Sequence, residues 1–226
     1  MSKKRKEPRK KDRDWQKLLS RAFIVVILLA CVIGFSLSFS FFSIFKKAEA
    51  GDIVTVDYTL YYEEGYPIVS SDAYVVQDAY EQGIPVAYTS SLQLQAGSLQ
   101  SDNLIPVSVY QYYLGNTEYA LLDLEVDAMS SDVIDMHTND VKQIDLEFAP
   151  TLTYNISAED FDSVEGMNFS EIAVGMLMFP DLSGNFNESV NATKIIRPSV
   201  IIAKTNDSVT LRYGYALAEI KVTDIN

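Results

Sequence analysis

The chain has 226 residues, of which 48% are hydrophobic and 22% charged, enough for one folded domain with an appendage, and wholesale disorder is excluded. One cysteine, Cys31, and one histidine, His137, leave no intrachain disulfide and no zinc cluster, and next to no room for a Ser-His triad. The net charge of −13 is divided unevenly: residues 1–21 hold ten Lys/Arg against three Asp/Glu, and no basic residue falls between Lys47 and Lys142, where 16 acids stand. A body of that charge repels phosphate, which excludes nucleic acid as its partner.

From the N-terminus, the basic arm 1–21 is followed by 24 residues without a charge, 22–45. A helix of that length covers roughly 36 Å, so a single transmembrane helix is expected at 22–45. The basic arm is expected on the cytoplasmic side, with Trp15 near the headgroups and the acidic body extracytoplasmic, which gives a single-pass cell-membrane protein. Ala48-Glu49-Ala50 has the spacing of a signal-peptidase site, and Leu28-Leu29-Ala30-Cys31 is a weak lipobox. The length of the apolar run favours an uncleaved signal anchor over either.

In the body, Val54, Val56, Tyr58, Leu60 and Tyr62 alternate with polar positions up to Glu63-Glu64-Gly65, the pattern of a strand entering a hairpin. A second strand reads across 104–114. Alternation continues from Tyr119 to Asp127, where Asp123, Glu125 and Asp127 form a row best read as a solvated strand face. A short helix is expected at 131–136 with Ser131 as its cap. Strands follow at Ile144, Leu146 and Phe148, then at 193–204, 208–213 and 215–225. Ser157-Ala-Glu-Asp160 carries a capping-box pattern for one helical turn.

Eleven of the fourteen tyrosines lie between 58 and 119. Such a set serves a sheet core, or else a peptide-binding face of rigid rings. Five sequons, at Asn155, Asn168, Asn187, Asn191 and Asn206, are candidate glycosylation sites in an outward-facing domain.

GDIVTVDYTLYYEEG followed by YPIVSSD resembles the first hairpin of FKBP-type prolyl isomerases, through Gly51, Asp52, Val54, Val56, Tyr58, Thr59, Glu64, Gly65, Ser70 and Ser71. VIDMHTNDVKQIDLEF is similar to that family's short helix, turn and next strand. SAEDF, VGMLMF and the C-terminal stretch are similar to members with a chaperone-like insert in the flap. The resemblance implies an α+β fold, an antiparallel half-barrel sheet around a short helix. Its core would be 51–148 and 207–226, with a small β-rich insert at 149–206. It implies Tyr58, Ile68, Val126 and Met129 as pocket walls and Val69, Tyr110 and Tyr112 as binding positions. Ile68 stands where the family has an aromatic, Val69 where it has an aspartate, and Met129 where it has the aromatic of the pocket floor. The flap motif is replaced by Phe148-Ala149-Pro150, and the last-strand aromatic falls near Ala218.

Prolyl isomerisation breaks no bond. The X-Pro amide twists over a barrier of about 18–20 kcal/mol, which an apolar pocket lowers by stripping water from the carbonyl. No metal, cofactor or nucleophile is required. The resemblance thus implies a membrane-anchored isomerase and folding helper acting on unfolded or proline-containing polypeptides. The alternative is a non-catalytic holdase or protein-interaction domain.

Overall fold

The computed structural model describes residues 11–43, 46–63, 65–112, 114–162, 168–180 and 195–226. The chain divides into two units, Met1–Lys46 and Lys47–Asn226. In the first, one helix, α1 (Lys11–Ser43), contains most of the apolar run. Its described side chains, Trp15 and 19–34, are all exposed.

The transmembrane helix expected at 22–45 is corrected: among the described residues, no helix is long and apolar enough to cross a membrane. The side chains of 35–43, and residues 44 and 45 altogether, lie outside the described residues.

The second unit is mixed α/β and holds two sheets. At the centre of the larger lies β1 (Ile53–Glu63), whose alternation buries Val54, Val56, Tyr58 and Leu60. Along one side β1 pairs antiparallel with β13 (Leu217–Ile225), setting Tyr58 opposite Ile220 and Leu60 opposite Ala218. On the other side its second half pairs with β2 (Tyr66–Ser70), reached through Gly65 at φ +77°, a left-handed turn position suited to glycine. Its first half pairs with β4 (Leu92–Gln95).

The chain after β2 forms α2 (Ala73–Glu81), then β3 (Ala87–Thr89), β4, β5 (Leu104–Gln111) and β6 (Gly115–Leu122). With β7 (Val141–Asp145) and β10 (Ile195–Ile196) they complete a nine-stranded sheet of order β10-β6-β5-β3-β2-β1-β13-β7, with β4 beside β1.

The antiparallel half-barrel around a short helix is therefore corrected to a large mixed sheet. Two of its pairs, β2–β3 and β6–β10, are parallel. The enlargement has a local cause. Residues 73–103, which carried no expected element, supply a helix and two strands, because Ala87, Thr89 and Leu94 can each turn inward to the core.

After β6 comes α3 (Asp123–Asp132), where the sequence pattern gave a strand to Asp127 and a helix at 131–136. Asp123 and Glu125 lie in its first turn, where carboxylates suit the helix dipole. Glu125 Oε2 also accepts the Leu122 N–H at 3.0 Å, meeting a donor the helix itself leaves unpaired. One face of α3 buries Val126, Met129 and Ser130 under the sheet.

The smaller sheet joins β8 (Thr153–Ser157), β12 (Ser208–Arg212), β11 (Ser199–Lys204) and β9 (Leu177–Met178) in that order, all antiparallel. It takes in β12, beyond the expected boundary at 206. Its own core is Phe161, Ile172, Met178, Ile201, Val209 and Leu211. The Ser157 half of the expected capping box forms at α4 (Ala158–Asp162): the Asp160 N–H donates to Ser157 Oγ at 3.0 Å, and Ser157 Oγ donates to Asp160 Oδ2 at 2.7 Å.

Candidate functional site

The residues expected to wall an isomerase pocket do converge, but inside the core. Tyr58, Ile68, Val69, Val126 and Met129 are each at most 3% exposed and belong to one hydrophobic cluster. Hydrogen bonds from Tyr58 N to Ser71 Oγ (2.8 Å) and from Ser71 N to Tyr58 O (2.9 Å) bind β1 to the end of β2. Asp72, the acid nearest the position held by Val69, caps α2 instead, accepting the Tyr74 N–H at 2.8 Å. Tyr58 Oη has no hydrogen-bond partner among the described residues. Burial pushes its phenol up to about 12; the nearby Thr89 hydroxyl opposes the rise, and the Glu125 carboxylate adds to it.

Tyr110 and Tyr112 lie elsewhere, on an open cleft of about 610 Å³ between α2 and the end of β5. The sequence builds this cleft locally. Ala73, Val76, Gln77 and Tyr80, at i, i+3, i+4 and i+7, share one face of α2. Gly83, at φ +76°, ends the helix, and Ile84-Pro85-Val86 lead into β3 along the floor. The opposite wall is Tyr110, Gln111 and Tyr112. Tyr80 and Tyr112 hold their rings 5.5 Å apart and tilted.

Tyr88 and Tyr110 are direct cross-strand partners on β3 and β5. Both also border a second cleft of about 510 Å³, lined further by Thr89, Ser108, Asn116 and Glu118. Tyr80, Tyr88, Tyr110 and Tyr112 are all exposed. The two clefts thus share one rim of phenol rings.

A third cluster escaped the sequence reading. Arg197 and Glu125, both fully buried, pair through Nη2–Oε1 (2.6 Å) and Nη1–Oε2 (3.1 Å). Arg197 also donates from Nη1 to Ala120 O and from Nε to Tyr213 O, and it stacks 4.3 Å over the Tyr215 ring. Burial disfavours the charged guanidinium, but Glu125 together with Tyr119 and Tyr215 outweighs that and holds its pKa raised. The cluster is sealed from solvent and ties the chain around Arg197 to β6 and α3.

Asp123, Glu125 and Asp127 are thus no solvated strand face: they start a helix, and Glu125 is its buried acid. Among the described residues, no group of three or more His, Cys, Asp or Glu is placed to hold a metal ion. Asn155, Asn168 and Asn206 are exposed, while Asn187 and Asn191 lie outside the described residues.

The chain matches no protein-family model, and no curated protein is similar to it.

Proposed function

We propose that this chain is a non-catalytic polypeptide-binding domain that holds extended stretches of unfolded or proline-containing chains along its tyrosine-rimmed clefts. The observation that carries this reading is the set of four exposed rings, Tyr80, Tyr88, Tyr110 and Tyr112, around two open clefts, the one beside α2 largely apolar and the other mixed. Tyrosine gives large contact area for little lost side-chain freedom, and a phenol tip can bond a peptide carbonyl or N–H. Concave apolar surface with a few polar groups is the usual form of a binding site.

Isomerase activity is less well supported, because Tyr58, Ile68, Val126 and Met129 fill the core and leave a proline ring no room beside them. The test is binding of full-length protein to an unfolded client and to short proline peptides, with cis/trans exchange measured on the same peptides. Binding that drops about tenfold or more in a Tyr110→Ala, Tyr112→Ala variant, with exchange at the uncatalysed rate, is the expected result. Accelerated exchange that Tyr58→Ala abolishes would overturn the non-catalytic reading.

A further inference from the structure

We infer that the second cleft, on the exposed face of β3, β5 and β6, binds a neutral sugar, with a pyranose face against its tyrosine rings and the sugar hydroxyls on its polar groups. The inference goes beyond the polypeptide-binding reading and stands without it. Strand register builds the site. Tyr88 stands opposite Tyr110 and Tyr110 opposite Asn116, so these three form one row across the sheet. Ser108 opposite Glu118 forms the next row, and Ser90 borders the cleft just beyond the end of β3. Cross-strand partners share a face, as do residues two apart along a strand. The alternate positions Thr89 and Val109 turn the other way and are each 3% exposed. Tyr88, Ser90, Ser108, Tyr110 and Asn116 are exposed, and Glu118 is half-buried.

A pyranose ring presents C–H groups on its faces and hydroxyls around its rim. The C–H hydrogens carry slight positive charge and suit the negative face of a phenol ring. Each rim hydroxyl both donates and accepts, and the cleft offers the matching set. The Glu118 carboxylate accepts, the Asn116 amide does both through separate atoms, and the hydroxyls of Ser90 and Ser108 do either. Bonds to the carboxylate are charge-assisted and the strongest of these. Among the described residues, none of these six side chains spends a hydrogen bond, ion pair or ring contact within the chain. Neighbouring strands lie about 4.8 Å apart, so both rows fall within reach of one or two sugar residues. The same lining selects against other ligands. No basic residue borders the cleft, so a carboxylated, sulfated or phosphorylated sugar finds no counter-charge and meets Glu118 instead. An apolar peptide side chain would strip water from hydroxyl, amide and carboxylate groups without replacing its bonds.

The test titrates full-length protein by calorimetry with hexasaccharides of β-linked glucose, of β-linked N-acetylglucosamine and of galacturonate. At least one of the two neutral sugars is expected to bind with a Kd of about 1 mM or tighter, and the acidic one about tenfold more weakly or not at all. Asn116→Ala with Glu118→Gln, both confined to the second cleft, should weaken sugar binding about tenfold or more while the urea unfolding midpoint stays at the parent value. Tyr88→Ala should do the same, and Tyr112→Ala, confined to the α2 cleft, should leave sugar binding unchanged. No binding of either neutral sugar overturns the inference and leaves polypeptide binding to its own test. Equal affinity for the acidic sugar overturns the selectivity for a neutral one. Sugar binding lost in Tyr112→Ala but kept in the Asn116, Glu118 variant would place the sugar in the α2 cleft and overturn the assignment. Proline-peptide binding abolished by the Asn116, Glu118 variant, with no sugar bound, would give the second cleft to polypeptide instead.

Discussion

Arg197 and Glu125 lie 72 residues apart in sequence and meet as a two-pronged ion pair with no exposed surface on either side chain. The pair links the chain entering the smaller sheet to the first turn of α3 in the larger. Two more of its donors are met by backbone carbonyls of Ala120 and Tyr213, so the guanidinium is held from several elements at once.

Removing one partner should therefore cost far more than the pair itself contributes. Arg197→Met or Glu125→Leu alone leaves an uncompensated buried charge, and each is expected to lower unfolding stability by about 3–5 kcal/mol. The double variant, apolar on both sides, should lose clearly less than the sum of the two. Urea unfolding of all four proteins completes the cycle. Additive losses would mean the two charges do not depend on each other.

Tyr58 gives the opposite expectation. Its Oη is buried with the Thr89 hydroxyl beside it but makes no hydrogen bond of good geometry, so Tyr58→Phe removes a poorly satisfied polar atom. The variant should be as stable as the parent, or more stable by up to about 1 kcal/mol. Tyr58→Ala instead opens a cavity beside Ile220 and Met129 and should cost about 3–5 kcal/mol. Thermal unfolding distinguishes the two, and a large loss in the Phe variant would show that the hydroxyl is bonded after all.

How far the sequence foretold this arrangement varies by element. The β1–β2 hairpin was legible because its signals are local: period-two alternation ending at a glycine in the left-handed region, Gly65. The Ser157 cap of α4 was legible for the same reason. The start of α3 was not. Leu122, Leu124 and Val126 alternate with acids as a strand would, and Glu125 becomes a helical, buried residue through a partner 72 positions away. No local pattern encodes that partner. The cleft was half legible, since Tyr110 and Tyr112 were singled out and α2 was not. Asp72 as cap, the 73-76-77-80 spacing and Gly83 as terminator were present in the sequence, masked by the few strongly apolar residues on that face.

Alkaline pH should weaken the fold cooperatively. Burial raises the phenols of Tyr58 and Tyr154 from 10.0 to about 12 and those of Tyr119 and Tyr215 further. An acid whose folded pKa is raised contributes stability that is fully present below its unfolded value and lost as pH climbs through the folded one. Stability should accordingly hold up to about pH 10 and fall steeply from there to about 12. Urea midpoints taken across that range, with tyrosinate absorbance followed in parallel, test it. Complete ionisation at constant stability would mean that these rings are solvated in the folded state.

The junction between the two sheets supplies the last expectation. Gly214 follows β12 and precedes β13, where the chain leaves the smaller sheet for the larger. A Cβ built there would sit 2.7 Å from Ala149 Cα and closer still to the Ala149 carbonyl oxygen. Both are backbone atoms of Ala149, the buried first residue of the 3-10 turn Ala149–Thr151, so no rotamer change can relieve the clash. The backbone must move, and Tyr213 N–H donating to Leu152 O at 3.0 Å is the bond placed to give way. Gly214→Ala should therefore cost about 1–3 kcal/mol or more despite adding a single methyl group. Amide exchange locates the damage: protection should fall at Tyr213 and around Ala149–Thr151 and persist along β1. A variant that unfolds at the parent's urea midpoint would show that the turn gives way freely and does not fix the crossing.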